Sequence, residues 1–95
     1  MAALLLIQAK VLQKDRYRAY QAAVQPLIAR FGGRLRATGV ELEVLEGTHD
    51  GRRLVVIEFP SAEALQAFWR SPDYAGIRAL REGAAQVDVW AVPAS

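Results

Sequence analysis

The segment Leu54-Val55-Val56-Ile57-Glu58-Phe59 is apolar on both faces of the strand it would form. Side chains alternate across an extended backbone, so Val55, Ile57 and Phe59 point one way while Leu54, Val56 and Glu58 point the other. The opening run repeats the pattern, with Leu5, Ile7, Ala9 and Val11 against Leu4, Leu6, Gln8 and Lys10. The closing run sets Val87, Val89 and Ala91 against Gln86, Asp88, Trp90 and Val92. One face is aliphatic throughout. The other mixes large apolar side chains with a few polar ones, which suits a surface covered by a second copy of the chain and enclosing a small cavity.

A chain of 95 residues makes one domain, 1–95, too short to cover both faces by itself. At this size folding buries roughly 60–65% of the surface that the unfolded chain exposes, so the core needs help from a partner. The hydrophobic share of 53% is high for so small a domain and points the same way. Without cysteine there are no disulfides, thiolate metal sites or cysteine nucleophiles, and the lone His49 cannot build a histidine cluster for zinc. No metal and no cofactor are expected. Twelve basic and ten acidic residues, interspersed, leave a net charge of +2, so no nucleic-acid surface is expected either. The apolar stretch Ala2–Ile7 has no preceding positive region, is shorter than a signal-peptide core and runs straight into strand pattern. A cytoplasmic protein without a membrane segment is the expectation.

After a first strand over Leu4–Leu12, the positions Tyr17, Tyr20, Val24, Leu27, Ile28 and Phe31 recur at three- and four-residue steps, one face of a helix over Asp15–Phe31. Asp15 is the expected N-cap, Gly32-Gly33 ends the helix, and Pro26 predicts a kink or restart near Gln25. Arg34–Thr38 reads as a short strand, Gly39 as a bend or bulge, and Glu41–Glu46 as resumed strand. The turn Gly47-Thr48-His49-Asp50-Gly51 then leads into the Leu54–Phe59 strand, antiparallel to its predecessor. Ser61 caps a helix carrying Leu65, Phe68 and Trp69 inward, and Ser71-Pro72 restarts helix, with Tyr74, Ile77 and Leu80 as its inward stripe. Gly83 stops it before a last strand over Ala84–Val92.

The order βαββαβ is the α+β, ferredoxin-like arrangement: an antiparallel sheet with its helices on one face. The aliphatic face should meet those helices. Leu4, Leu6, Leu54, Val56 and Trp90 then form a bare patch larger than a soluble monomer tolerates. Packing it on its symmetry mate gives a homodimer of the class that buries more than about 2,000 Å².

The residues that open and close the elements resemble the bacterial domain-of-unknown-function family 1330, within the dimeric α+β barrel superfamily. They are Asp15-Arg16-Tyr17 with Tyr20, Phe31-Gly32-Gly33-Arg34, Glu43-Val44-Leu45-Glu46-Gly47, Arg53 through Ser61, Phe68 through Tyr74, and Ala79-Leu80-Arg81. The resemblance spans nearly the whole chain and implies a ferredoxin-like protomer and a face-to-face dimer. It implies no activity of its own, although the superfamily includes cofactor-free monooxygenases, lactone isomerases and haem enzymes. Thr38 stands where the family commonly has arginine, and His49 where tryptophan is common.

Several residues carry candidate chemistry beside a plainer structural reading. Glu58 ends an apolar strand, and Arg34 or Arg36 on the neighbouring strand is placed to pair with it: an interface ion pair, or an acid-base group. Asp88 stands likewise on the last strand, with Gln8 between the two carboxylates. Tyr17, Tyr20, Trp69 and Tyr74 face the sheet from the helices, either as core or as the walls of an organic-ligand pocket. Arg78 and Arg81 offer a carboxylate clamp or a solvated helix end. His49 reads as an exposed turn residue. The reading that joins these is a homodimer binding a small organic molecule between helices and sheet, of the cofactor-free monooxygenase or isomerase kind. Tyr20, Trp69 and Tyr74 would line that pocket, with Arg36, Glu58 and Arg78 as its polar handles. The alternative is a non-catalytic accessory dimer with a filled core.

Overall fold

The computed structural model describes residues 2–93. Strand β1 (Ala3–Val11) leads to helix α1 (Lys14–Arg30), strands β2 (Arg34–Val40) and β3 (Arg53–Phe59), helices α2 (Ala62–Arg70) and α3 (Pro72–Arg78), a 3-10 turn (Ala79–Arg81) and strand β4 (Ala85–Pro93). The sheet order is β2-β3-β1-β4, antiparallel throughout, with the helices on one face: the α+β ferredoxin-like fold. The Cα positions span 34 × 33 × 16 Å, a thickness with room for one sheet layer and one helix layer.

The period-two alternation decides what is buried. Leu5, Ile7, Ala9, Ile57 and Phe59 lie under the helices at 8% exposure or less, with Tyr17, Tyr20, Val24, Leu27 and Ile28 from α1 and Leu65, Phe68 and Tyr74 from the shorter helices. On the other face, Leu6 sits between Val56 and Trp90 in the register, and all three keep access to solvent.

Local chemistry explains the element ends. The Ser61 hydroxyl accepts from the Ala64 N–H at 3.0 Å and the Ser71 hydroxyl from the Asp73 N–H at 3.2 Å, so each serine satisfies an orphan donor at its helix start. Helix α1 closes through Gly32 at φ +79°, a left-handed conformation that glycine adopts without strain. The next residue must also be glycine for space: a Cβ on Gly33 would stand 2.6 Å from Ile28 Cγ2 and 2.9 Å from Phe59 Cε1.

Several expectations need correction. The alternation of Glu41–Glu46 predicts a strand, yet the chain leaves the sheet after Val40. Register shifts interrupt β2 between Leu35 and Ala37 and between Ala37 and Val40, and β3 begins only at Arg53, so the segment finds no ladder to join. Leu80 is 41% exposed rather than inward, because the tighter 3-10 turn shifts the phase of the stripe and brings Arg81 round instead. Gln13, not Asp15, occupies the N-cap of α1 and makes no side-chain cap; Asp15 lies in the first turn, where its charge suits the helix dipole. The helix runs through Pro26 without restarting. Pro26 lies on the wet side, where water can satisfy the carbonyl that loses its donor.

Candidate functional site

Two clusters gather the residues that carried candidate chemistry, and the sheet separates them. On the helix side, Tyr20 from α1 and Tyr74 from α3 meet hydroxyl to hydroxyl at 3.0 Å, buried. The Trp69 ring packs 5.3 Å from Tyr74 and the Phe68 ring 4.6 Å from it. The Arg78 guanidinium lies 5.4 Å from the Trp69 ring centre and 6.0 Å from that of Tyr74, while Arg81 stands 5.5 Å above Tyr20, both cation–π geometries. Burial, reinforced by the Tyr74 hydroxyl, pushes the Tyr20 phenol far above its ordinary value. Burial also raises Tyr17, with Arg81 opposing. Burial works against the Arg81 charge, yet the Tyr74 and Tyr20 hydroxyls outweigh it and raise its pKa. The Tyr20 phenol therefore stays neutral near pH 7, and its hydroxyl and that of Tyr74 satisfy one another, which makes the pair a structural link between α1 and α3.

The second cluster lies on the open face. Arg36 Nε donates to Glu58 Oε1 at 2.8 Å, with the two side chains 53% and 34% exposed. The structure thus brings Tyr20, Trp69, Tyr74 and Arg78 together, and Arg36 with Glu58, but it does not join the two sets into one pocket. The reason is the alternation itself, which sends Glu58 away from the side that Ile57 and Phe59 share with the helices. Gln8 likewise does not lie between Glu58 and Asp88: it pairs in register with Leu54 and Asp88, whereas Glu58 lies opposite Leu4. Asp88 is instead tied to Arg52, whose guanidinium also holds Asp50 at 2.8 Å. The Arg52 backbone N–H and side chain hold the Asp50 carboxyl below the usual carboxylate range. His49 is less open than a turn residue should be, its side chain 18% exposed. Its Nδ1 accepts from the Gly51 N–H at 3.1 Å, and its Nε2 is buried without a hydrogen bond, 3.8 Å from Asp50 Oδ1.

Open space lies beside α1 and, as a surface groove of about 420 Å³, along Trp69 of α2. An open groove of about 250 Å³ is lined by Lys14, Tyr17, Arg18 and Gln21 on one wall and by Ala9, Val11, Gly39, Arg53 and Val55 on the other. Tyr17, Gln21 and Val55 are shared with a smaller cavity of about 50 Å³ that runs inward past Tyr20 and Thr38 to Ile7, Val24, Ile28 and Ile57. Of the six candidate residues, Tyr20 alone lines this space; Trp69 lines a separate surface groove with Leu65 and Val89. Lys14, Arg18, Gln21 and Arg53 are the lining residues that the sequence reading misses. The signal for three of them is the spacing Lys14, Tyr17, Arg18, Gln21, a single helical stripe at i, i+3, i+4 and i+7. Among the described residues no group of three His, Cys, Asp or Glu side chains is placed to hold a metal ion. No helix among them is long and apolar enough to cross a membrane.

The sequence matches the family described as a domain of unknown function, DUF1330, over residues 2–95. The chain belongs to the DUF1330 family. No curated protein matches it. Among solved structures, a Rhodopseudomonas palustris protein of unknown function is similar at 21% identity and a TM-score of 0.77, over 99% of this DUF1330 chain and 83% of its own. A dimeric ferredoxin-like protein of unknown function from Jannaschia sp. CCS1 is 13% identical with a TM-score of 0.74, covering 99% of this chain and 100% of that one. SnoaB from Streptomyces nogalater, a cofactor-independent oxygenase, is 11% identical with a TM-score of 0.72, covering 99% and 93%. At such identities the likeness establishes the fold alone.

Proposed function

We propose that the protein is a cytoplasmic homodimer of one domain, residues 1–95, that binds a small organic molecule between α1 and the β2–β3 edge of the sheet. The observation that carries the ligand reading is the groove whose floor, Tyr17, Gln21 and Val55, continues inward to Tyr20. Its volume lies just below the roughly 300–1,000 Å³ of sites for drug-sized ligands, which fits a compact metabolite. Tyr17 and Gln21 supply hydrogen-bonding tips within apolar walls, the combination that fixes the orientation of a flat organic ring. The pairing reading rests on Leu6, Val56 and Trp90, which no helix covers, and gains support from relatives described as dimeric. The likeness to SnoaB makes cofactor-free oxygenation, alongside isomerisation, the chemistry to look for.

The Arg36–Glu58 ion pair and the mutually satisfied Tyr20–Tyr74 hydroxyls favour a second reading, an accessory dimer without catalysis. A panel of small aromatic acids, quinols and lactones, screened by thermal shift and by turnover, separates the two. A ligand present at a hundredfold its Kd should add about 2.7 kcal/mol to stability. A panel that yields neither a shift nor turnover leaves the accessory dimer standing. Sedimentation of a lone protomer at micromolar concentration would remove the pairing.

A further inference from the structure

The groove beside α1 has an unbalanced charge at its mouth. Lys14, Arg18 and Arg53 are three of its nine lining residues, and no carboxylate is among the other six. Arg53 is partly neutralised, donating to the Gly39 carbonyl at 3.3 Å and pairing with Glu41 at 3.3 Å. Lys14 and Arg18 have no ion-pair partner among the described residues. They stand four residues apart on α1, where like charges repel across one helical turn and cost the isolated helix a few tenths of a kcal/mol. Both are exposed at the rim, whereas Tyr17, one turn in from Lys14, is buried. The Gln21 amide is exposed at the rim with the cations, the Tyr17 phenol is buried, and the aliphatic wall of Val24, Ile28, Val55 and Ile57 lines the space beyond.

We infer that this groove selects a small organic anion, a carboxylate on a compact apolar or aromatic body, with Lys14 and Arg18 holding the charged end and the body lying along Tyr17 and Val55. This rests on the ligand reading above and narrows its substrate class. An inorganic anion alone would leave the apolar wall unused, and a long polyanion would not follow the charge inward. The two rim cations give the site both its sign and its direction: the ligand enters with its neutral end first and stops when its carboxylate reaches Lys14 and Arg18.

The test compares cinnamate with cinnamamide, which share a shape and differ in charge, by calorimetric titration of the full chain, with inorganic phosphate as a third probe. Cinnamate should bind at least about tenfold more tightly than cinnamamide, the worth of one charge-assisted hydrogen bond. That preference should shrink as salt rises. In the doubly substituted K14Q/R18Q chain, whose changes lie on the exposed rim, the preference for cinnamate over cinnamamide should vanish. Equal binding of the two probes overturns the anion selectivity and leaves the groove a neutral ligand site. A preference that survives K14Q/R18Q overturns the assignment to these two residues. Phosphate binding as tight as cinnamate binding overturns the organic class. Failure of both organic probes to bind, together with an unresponsive ligand panel, removes the ligand reading itself and this inference with it.

Discussion

Leu5 and Leu6 are the same residue type at adjacent positions of β1, yet Leu5 is 2% exposed under the helices while Leu6 keeps partial access to solvent between Val56 and Trp90. The whole sheet repeats this contrast. Its covered face is filled by side chains from α1, α2 and α3 that interlock with Ile57 and Phe59, whereas its open face carries comparable aliphatic side chains and no layer above them. Hydrophobicity alone therefore does not decide burial in this chain; the supply of covering elements does. The covered face makes the protomer, and the open face is the one that the proposed pairing would cover.

Truncation should expose that contrast most sharply on the covered side. Phe59→Ala is expected to lose about 3–5 kcal/mol, read as a lowered denaturation midpoint, because the ring is fully buried. A loss no greater than that from Val56→Ala would erase the distinction between the faces. On the open side, Val56→Asp should act through assembly. Enclosing an unpaired carboxylate costs about 3–5 kcal/mol, so sedimentation should shift towards a single protomer while the helical circular dichroism is retained. An unchanged sedimentation profile would mean that the face stays wet in the native assembly.

Within the covered layer, Tyr20→Phe leaves the Tyr74 hydroxyl buried without its partner and should cost about 1–3 kcal/mol. The pair Tyr20→Phe with Tyr74→Phe should cost less than the sum of the single changes. The same contact sets an alkaline limit. Since burial raises the Tyr20 pKa above its ordinary 10.0, the unfolded chain loses that proton first. Its contribution is complete below about pH 10 and falls as pH rises beyond it, so the melting temperature should drop there, and less steeply in the Phe variant. The smallest effect expected is that of Ser61→Ala, about 1 kcal/mol from a lost cap at the start of α2.

Much of this organisation is legible in the sequence. Period-two runs mark β1, β3 and β4, the three- and four-residue steps mark α1, and Ser61 and Ser71 mark helix starts, because each depends on neighbours only a few residues away. The pairing of Glu58 is legible in part, since strand order and alternation put both Arg34 and Arg36 within its reach, and only the structure picks Arg36. What escapes depends on three-dimensional space. No local pattern shows that β2 would end at Val40, since the outcome turns on whether a ladder partner exists for Glu41–Glu46. The groove escapes because a void is set by what several elements leave unfilled. Grouping Glu58 and Arg36 with Tyr20 and Tyr74 fails for a simpler reason: one strand's two sides were asked to serve a single pocket.

The unpaired stretch after β2 has a further consequence. Leu42, Val44 and Leu45 are exposed, Leu45 at 88%, apolar side chains of the kind that stack into fibrils when a segment carries little net charge. Glu41, Glu43 and Glu46 interrupt it, and in any in-register stack each glutamate would face its own copy 4.7–4.8 Å away. The repulsion accumulates with every added chain. These three carboxylates thus serve as gatekeepers against aggregation, guarding the stretch that the fold itself leaves without a neighbour.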